Sequence, residues 1–283
     1  MVYIPILGAL ALGTGTILDK FNLRNKKINI KLYQVASFLA LVLIMLPLIY
    51  FFWKLDSGAF ELKNILIFVG IILSATIANL FIYYSERGAK ITSIEPAIIV
   101  ETFFVILLTI FFGLFIKGFA ETSSKIIIPT LIALAALIFP YITKEHLKLN
   151  KYFIAAILGS FFFALELVLS KLILDFYSPI TFYFFRCLFI FIISWIIFMP
   201  NFKKLNVKNW ILIFITGAFY VGYRIATYYG YLHYGIILTT LIMMIAPVVI
   251  YILASRFLKE KLNWKNVVSS AIILGCVVYV LIS

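Results

Sequence analysis

The chain is a succession of apolar runs, each near the length of one membrane crossing, with very little chain between them. An α-helix needs about 20 apolar residues to cross a bilayer. In hydrocarbon every backbone N–H and C=O must be satisfied internally, so such runs are read as helices. Roughly ten candidate spans can be marked, near residues 2–19, 32–53, 64–86, 91–116, 125–143, 152–174, 179–199, 209–232, 235–258 and 264–282. The composition agrees, with 65% hydrophobic and 12% charged residues over 283. Soluble domains are about half apolar and a quarter charged. The expected fold class is an all-α integral membrane protein, multi-pass in a cell membrane. Heavy use of Ile, Lys, Asn, Phe and Tyr points to an AT-rich, prokaryotic genome.

The formal net charge is +13, which in a soluble protein would suggest nucleic acid. Here the cations sit in short clusters between apolar runs: Arg24, Lys26 and Lys27; Lys203, Lys204 and Lys208; Lys259, Lys261 and Lys265. Membrane orientation explains that placement and nucleic acid does not. The positive-inside rule puts the odd-numbered loops in the cytoplasm and both termini outside. Cys187 and Cys276 lie inside apolar runs, so neither a disulfide nor a zinc framework is expected. The N-terminal MVYIPILGALALG lacks a basic leader region and is read as the first span.

Ten spans divide into five and five, and weak internal matches preserve their order. Gly8 aligns with Gly159 and Gly88 with Gly235; around the second pair Tyr84 and Thr92 face Tyr231 and Thr239. Five is odd, so two such halves must sit inverted. Charge bias flips between most equivalent loops, as inverted repeats require. The loop after span 1 holds Lys20, Arg24, Lys26, Lys27 and Lys31, whereas its counterpart after span 6 has only Lys171 near it. The domains expected are residues 1–146 and 147–283, each a five-helix repeat.

Residues 228–281, YYGYLHYGIILTTLIMMIAPVVIYILASRFLKEKLNWKNVVSSAIILGCVVYVL, resemble the closing half of EamA-type proteins. These belong to the drug/metabolite transporter superfamily. The resembling features are a small-residue turn between spans 8 and 9, a mid-span Pro247, the exit Lys259-Glu260-Lys261-Leu262, and Gly275 in the last span. Arg186 stands where the family often has an arginine early in the second helix of a repeat. The first half departs, with Gly113 at the Glu260 equivalent and its proline, Pro96, shifted. The resemblance implies small-molecule transport through a central cavity lined by both halves, and names no solute.

Ionisable groups inside spans are the candidate site, because one near the bilayer centre costs about 2.5–3.5 kcal/mol on insertion scales. At 1.5 Å per residue, Glu166, Arg186 and Arg224 each lie about 12–13 Å from the same surface. Glu101 enters from the other side to about 16 Å, near mid-membrane. No Lys or Arg stands one helical turn from Glu101, so it finds a partner on another helix, holds its proton, or faces water. Glu95 is shallower and points to another face. Glu166 and Arg186 read equally well as a structural pair across one hairpin, and Arg224 can snorkel. Tyr228 lies one turn from Arg224. Asn79 reads first as an interhelical hydrogen bond.

The substrate-binding set expected is Glu101, Arg224, Glu166, Arg186, Tyr228 and Asn79, with no metal and no cofactor. The expected activity is secondary transport, by alternating access, of a small polar metabolite such as an amino acid, organic anion or zwitterion. Arg224 would hold a carboxylate, and Glu101 or Glu166 an amine or a coupling proton. The partners are then that substrate, a possible coupling proton and the lipid bilayer, with the chain a monomer or homodimer. No P-loop is present for ATP-driven transport. The alternative is an intramembrane enzyme acting on lipid or peptide. Its chemistry needs a nucleophile with a base, or a metal, whereas His146 and His233 stand far apart and no HExxH occurs.

Overall fold

A computed structural model describes residues 3–25, 28–120, 123–141, 150–259 and 264–282. The helices are α1 (Tyr3–Arg24), α2 (Ile30–Phe52), α3 (Leu62–Gly88), α4 (Ile91–Phe115), α5 (Ser124–Ile138), α6 (Lys151–Ile173), α7 (Pro179–Phe198), α8 (Val207–His233), α9 (Ile236–Met243), α10 (Ile245–Leu253) and α11 (Trp264–Ile282). Among the described residues the only β pairing is one isolated bridge, Leu55 with Tyr177. Among the described residues, eight segments are long and apolar enough to cross a membrane: α1, α2, α3, α6 with the turn that follows it, α7, α8, the joined stretch Ile236–Leu258, and α11. Val100–Phe115 within α4 and Ser124–Ile138 are shorter apolar helices. Lys26, Lys27, His146, Glu260, Lys261 and Leu262, and the boundary expected at 146, lie outside the described residues. So does the side chain of Glu95.

Local sequence sets the helix ends. Asn29, Asn150, Ser178 and Asn206 each accept a backbone N–H of the first turn, at 2.7 Å from Leu32, 2.9 Å from Phe153, 3.1 Å from Thr181 and 2.9 Å from Asn209. Those residue types are the favoured N-caps. Helix α5 stops at Ile138, short of the expected 143, because Pro140 follows and disfavours helix before it. Gly235, with φ 82, joins α8 to α9 in a conformation that other residues rarely adopt.

The ninth apolar run is broken. Pro247 has no N–H for the carbonyl of Met243, and its ring crowds that carbonyl. The chain tightens there: Met244 has ψ −7, and its N–H is shared between Thr240 (3.1 Å) and Leu241 (3.2 Å). Helix α10 resumes at once and ends in a π-helical turn, Ala254–Leu258.

Helix α1 packs on α8 and α10, α6 on α3 and α4, α2 on α7, and α5 on α11. Small residues permit the closest approaches. A Cβ added at Gly8 of α1 would lie 2.6 Å from Ala226 Cβ of α8. One added at Gly159 of α6 would lie 2.8 Å from Ile82 Cγ1 of α3. The bundle therefore closes by backbone proximity at α1–α8 and α3–α6, which suits helices in lipid.

Candidate functional site

Glu166, in the middle of α6, is the centre of a buried charge cluster. Arg186 Nε of α7 lies 2.9 Å from its Oε1, and Arg224 Nη1 of α8 lies 3.2 Å from its Oε2. Tyr228 donates to Oε1 at 2.9 Å, and Ser170 approaches the same oxygen at 3.3 Å. Glu166 and Tyr228 are 0% exposed, Arg186 1% and Arg224 5%. The three spans meet because α6, α7 and α8 bring their charges to one depth, as the sequence distances imply.

One carboxylate here faces two guanidinium groups, so the cluster carries surplus positive charge. Aromatic faces take up part of it: Arg186 lies 5.5 Å from the Tyr183 ring centre, and Arg224 5.3 Å from Phe163 and 5.1 Å from Tyr223. Cation–π contact is strongest where water is excluded. Arg186 Nη2 has no hydrogen-bond partner among the described residues.

Beside the cluster is a cavity of about 140 Å³. Glu101 of α4 and Arg224 of α8 both border it, with Thr16 of α1, Phe163 of α6 and Pro247 of α10. Both halves of the chain therefore contribute to its wall. Among the described residues no hydrogen bond or ion pair holds the Glu101 carboxylate. A second cavity of about 60 Å³ is bordered by Asn79, Arg186, Arg224 and Asp19. The two share Ile82, Phe163, Tyr220 and Arg224 as a common wall.

Arg224 thus borders both spaces, Glu101 the larger, and Arg186 and Asn79 the smaller. Asn79 donates to the carbonyl of Ala75 at 2.7 Å on its own helix and makes no described interhelical bond. Glu166 and Tyr228 border neither of these cavities and hold the arginines from behind. His233 stacks on Tyr229 at 4.0 Å, and its Nδ1 donates to the Tyr229 carbonyl, 2.9 Å away.

Residues that the sequence reading passed over cluster at the end of α1. Asp19 is 3% exposed and accepts hydrogen bonds from Tyr33 of α2 and, at 2.6 Å, from Tyr220 of α8. Lys20, read as a loop cation, is instead inside α1 and 5% exposed. Its Nζ donates to the carbonyls of Glu86 and Ala89 at the end of α3. Helix α1 runs on to Arg24, which carries both residues inward. The signal was the polar stripe Thr16, Asp19 and Asn22, three residues apart on one helix face.

Residues 150–282 match the model of the EamA-like transporter family. The second half of this chain is similar to an EamA domain. The match is to a family of membrane transporters, and it covers the half in which Glu166, Arg186 and Arg224 lie. Among solved structures, a crystal structure titled only as that of a protein shares 14% identity with a TM-score of 0.72. The likeness covers 98% of this chain and 94% of the other, and it shows a common fold alone. No curated protein matches the chain.

Proposed function

We propose that this EamA protein is a secondary transporter that carries a small zwitterion or organic anion by alternating access around the larger cavity. Ten spans in two inverted halves, near residues 1–146 and 147–283, would supply the two rocking bodies. The helix packing supports this. Advancing each span by five turns α1–α8 into α6–α3 and α1–α10 into α6–α4, while α2–α7 and α5–α11 map onto themselves. Gly8 and Gly159, matched in sequence, are the close-approach points of the exchanged pairs α1–α8 and α6–α3.

The observation that carries the reading is Arg224 and Glu101 bordering one cavity made by both halves. Arg224 has surplus charge to offer a carboxylate, since Glu166 is already shared with Arg186. Glu101 is left for an ammonium group or a coupling proton, while Glu166 is occupied. The cavity of about 140 Å³ is smaller than the roughly 300–1,000 Å³ of drug-sized sites, which favours a solute of few heavy atoms.

The test is uptake into proteoliposomes, using a panel of isotopically labelled amino acids and small carboxylates. At least one should accumulate in wild type and fail to do so with Arg224→Gln. Absence of flux for the whole panel would remove this reading. Uptake of carboxylates without an amine would restrict it to anions.

A further inference from the structure

Helices α1 and α8 are joined along their seam by a ladder of polar contacts. Asp19 accepts from Tyr220 at 2.6 Å, Asn22 donates to Thr216 at 3.1 Å, and Asn25 donates to Asn209 at 3.2 Å. The α1 numbers rise as the α8 numbers fall, so the helices are antiparallel and the rungs climb one continuous face. The counterpart seam, α3 on α6, is built otherwise. There Phe81 stacks on Phe162 at 6.5 Å, Tyr84 meets Tyr152 at 5.2 Å, and Gly159 lies against Ile82.

The innermost rung is ionisable. Each oxygen of Asp19 receives one phenol O–H, from Tyr33 and from Tyr220. Among the described residues no Lys or Arg ion-pairs with it. The groups around it are Tyr33 on α2, Tyr83 on α3 and Tyr220 on α8, and Glu86 of α3 acts on those last two tyrosines. Lys20, its neighbour in sequence, is turned toward the end of α3. Helix α10 meets α1 with apolar Val249 and Ile250. Arg186 and Arg224 stand across the smaller cavity, which Asp19 also borders. That space of about 60 Å³ has room for water, which needs roughly 10–15 Å³ by such a measure.

We propose that Asp19 is a proton-binding site whose protonation releases the α1–α8 seam. As a carboxylate, Asp19 accepts two O–H donors, one from the first half of the chain and one from the second. A proton arriving through the water-sized space forms an O–H on one carboxyl oxygen. Where that oxygen is the one facing Tyr220, the charge-assisted bond from the phenol gives way to a weaker neutral one in which the carboxyl O–H donates to the phenol oxygen, and the rung loosens. No other bond forms or breaks. The tie between halves is then strong above the protonation of Asp19 and weak below it. Charge on a group buried in lipid-spanning helices is a default mark of function. The inference rests on the seam alone and stands whatever the transported solute is.

Two measurements on purified protein in nanodiscs test it, and neither needs flux. Infrared titration from about pH 5 to 9, a range flanked by ordinary Asp and Tyr values, should show a protonated-carboxyl band that grows on acidification. One component of the band should be lost in Asp19→Asn, while any component from Glu101 remains. Spin labels placed at exposed Arg24 and Lys208, on the two sides of the seam, should separate as pH falls. Asp19→Asn mimics the protonated acid and should hold the wide distribution at every pH. Tyr220→Phe, which removes one hydroxyl, should weaken the pH response if the asparagine variant does not fold. A titrating band that Asp19→Asn leaves unchanged, or a label distance that ignores pH in wild type, would overturn the proposal. So would an unaltered pH response in both variants.

Discussion

Arg224 Nη1 sits 3.2 Å from Glu166 Oε2, and the same arginine borders the space in which a solute would sit. It therefore links a fully buried carboxylate to the cavity wall. Breaking a buried pair by removing one partner costs about 3–5 kcal/mol, because a charge is left uncompensated. Glu166→Gln strands two guanidinium groups and should cut folded yield sharply in size-exclusion chromatography. Adding Arg186→Gln should restore only part of it, since Arg224 remains without its carboxylate. Full recovery in the double variant would mean that Arg224 does not depend on Glu166.

Glu101 should behave in the opposite way. No described group is paired with its carboxylate, so Glu101→Gln orphans nothing. The variant should purify and melt like wild type, yet lose most solute accumulation in proteoliposomes. Wild-type accumulation would free Glu101 from any part in transport.

Tyr228→Phe removes one hydrogen bond to Glu166 and keeps the ring against Phe182, 5.0 Å away. A net loss of about 1.5–3 kcal/mol is expected, the range for a hydrogen bond to a charged group. It should appear as a lower melting temperature in a thermal-shift assay. Solute specificity should not change, because the hydroxyl meets the cluster from behind the wall.

The glycines at the helix crossings should differ in tolerance. Gly8→Leu drives a Cβ into Ala226 Cβ, which moves only with the α8 backbone, whereas the atom opposite Gly159 is the side-chain carbon Ile82 Cγ1. Overpacking costs typically about 1–3 kcal/mol. Gly8→Leu should fall at the upper end and Gly159→Leu below it, as read from thermal-shift midpoints.

The orientation is open to a labelling test. The end of α1 and the start of α8 are adjacent, as the Asn25–Asn209 bond shows. The lysine-rich loops predict that this end is cytoplasmic. Single cysteines at Arg24 and Lys203, in a background without Cys187 and Cys276, should both resist an impermeant thiol reagent in intact cells. Labelling of both would invert the orientation.

Helix positions were legible because lipid leaves the chain so few options. The ends at Asn29, Asn150, Ser178 and Asn206 obey cap chemistry, but apolar length alone sets the spans read from sequence, and it makes 235–258 one unbroken run despite Pro247. The cluster of Glu166, Arg186 and Arg224 was legible as a common depth, since 1.5 Å per residue converts sequence into height. Azimuth was not legible. Depth alone does not say that Glu166 faces two arginines while Glu101 faces a cavity, because rotation about a helix axis is set by neighbours. Asp19 and Lys20 were missed for a related reason. They sit where apolar sequence gives way to charge, and a run that seems to end there continues for another turn as helix.

The two seams that the proposed repeat exchanges differ in material: polar rungs along α1–α8, apolar and aromatic surfaces along α3–α6. In a carrier that closes first one end and then the other, those surfaces would have to part in turn. Their opening energies then respond to different agents, the polar seam to acidity and the apolar seam to the hydrophobic effect. Such a carrier idles in one facing more than the other. Its forward and reverse turnover would be unequal at matched solute concentrations, so the asymmetry would act as a rectifier.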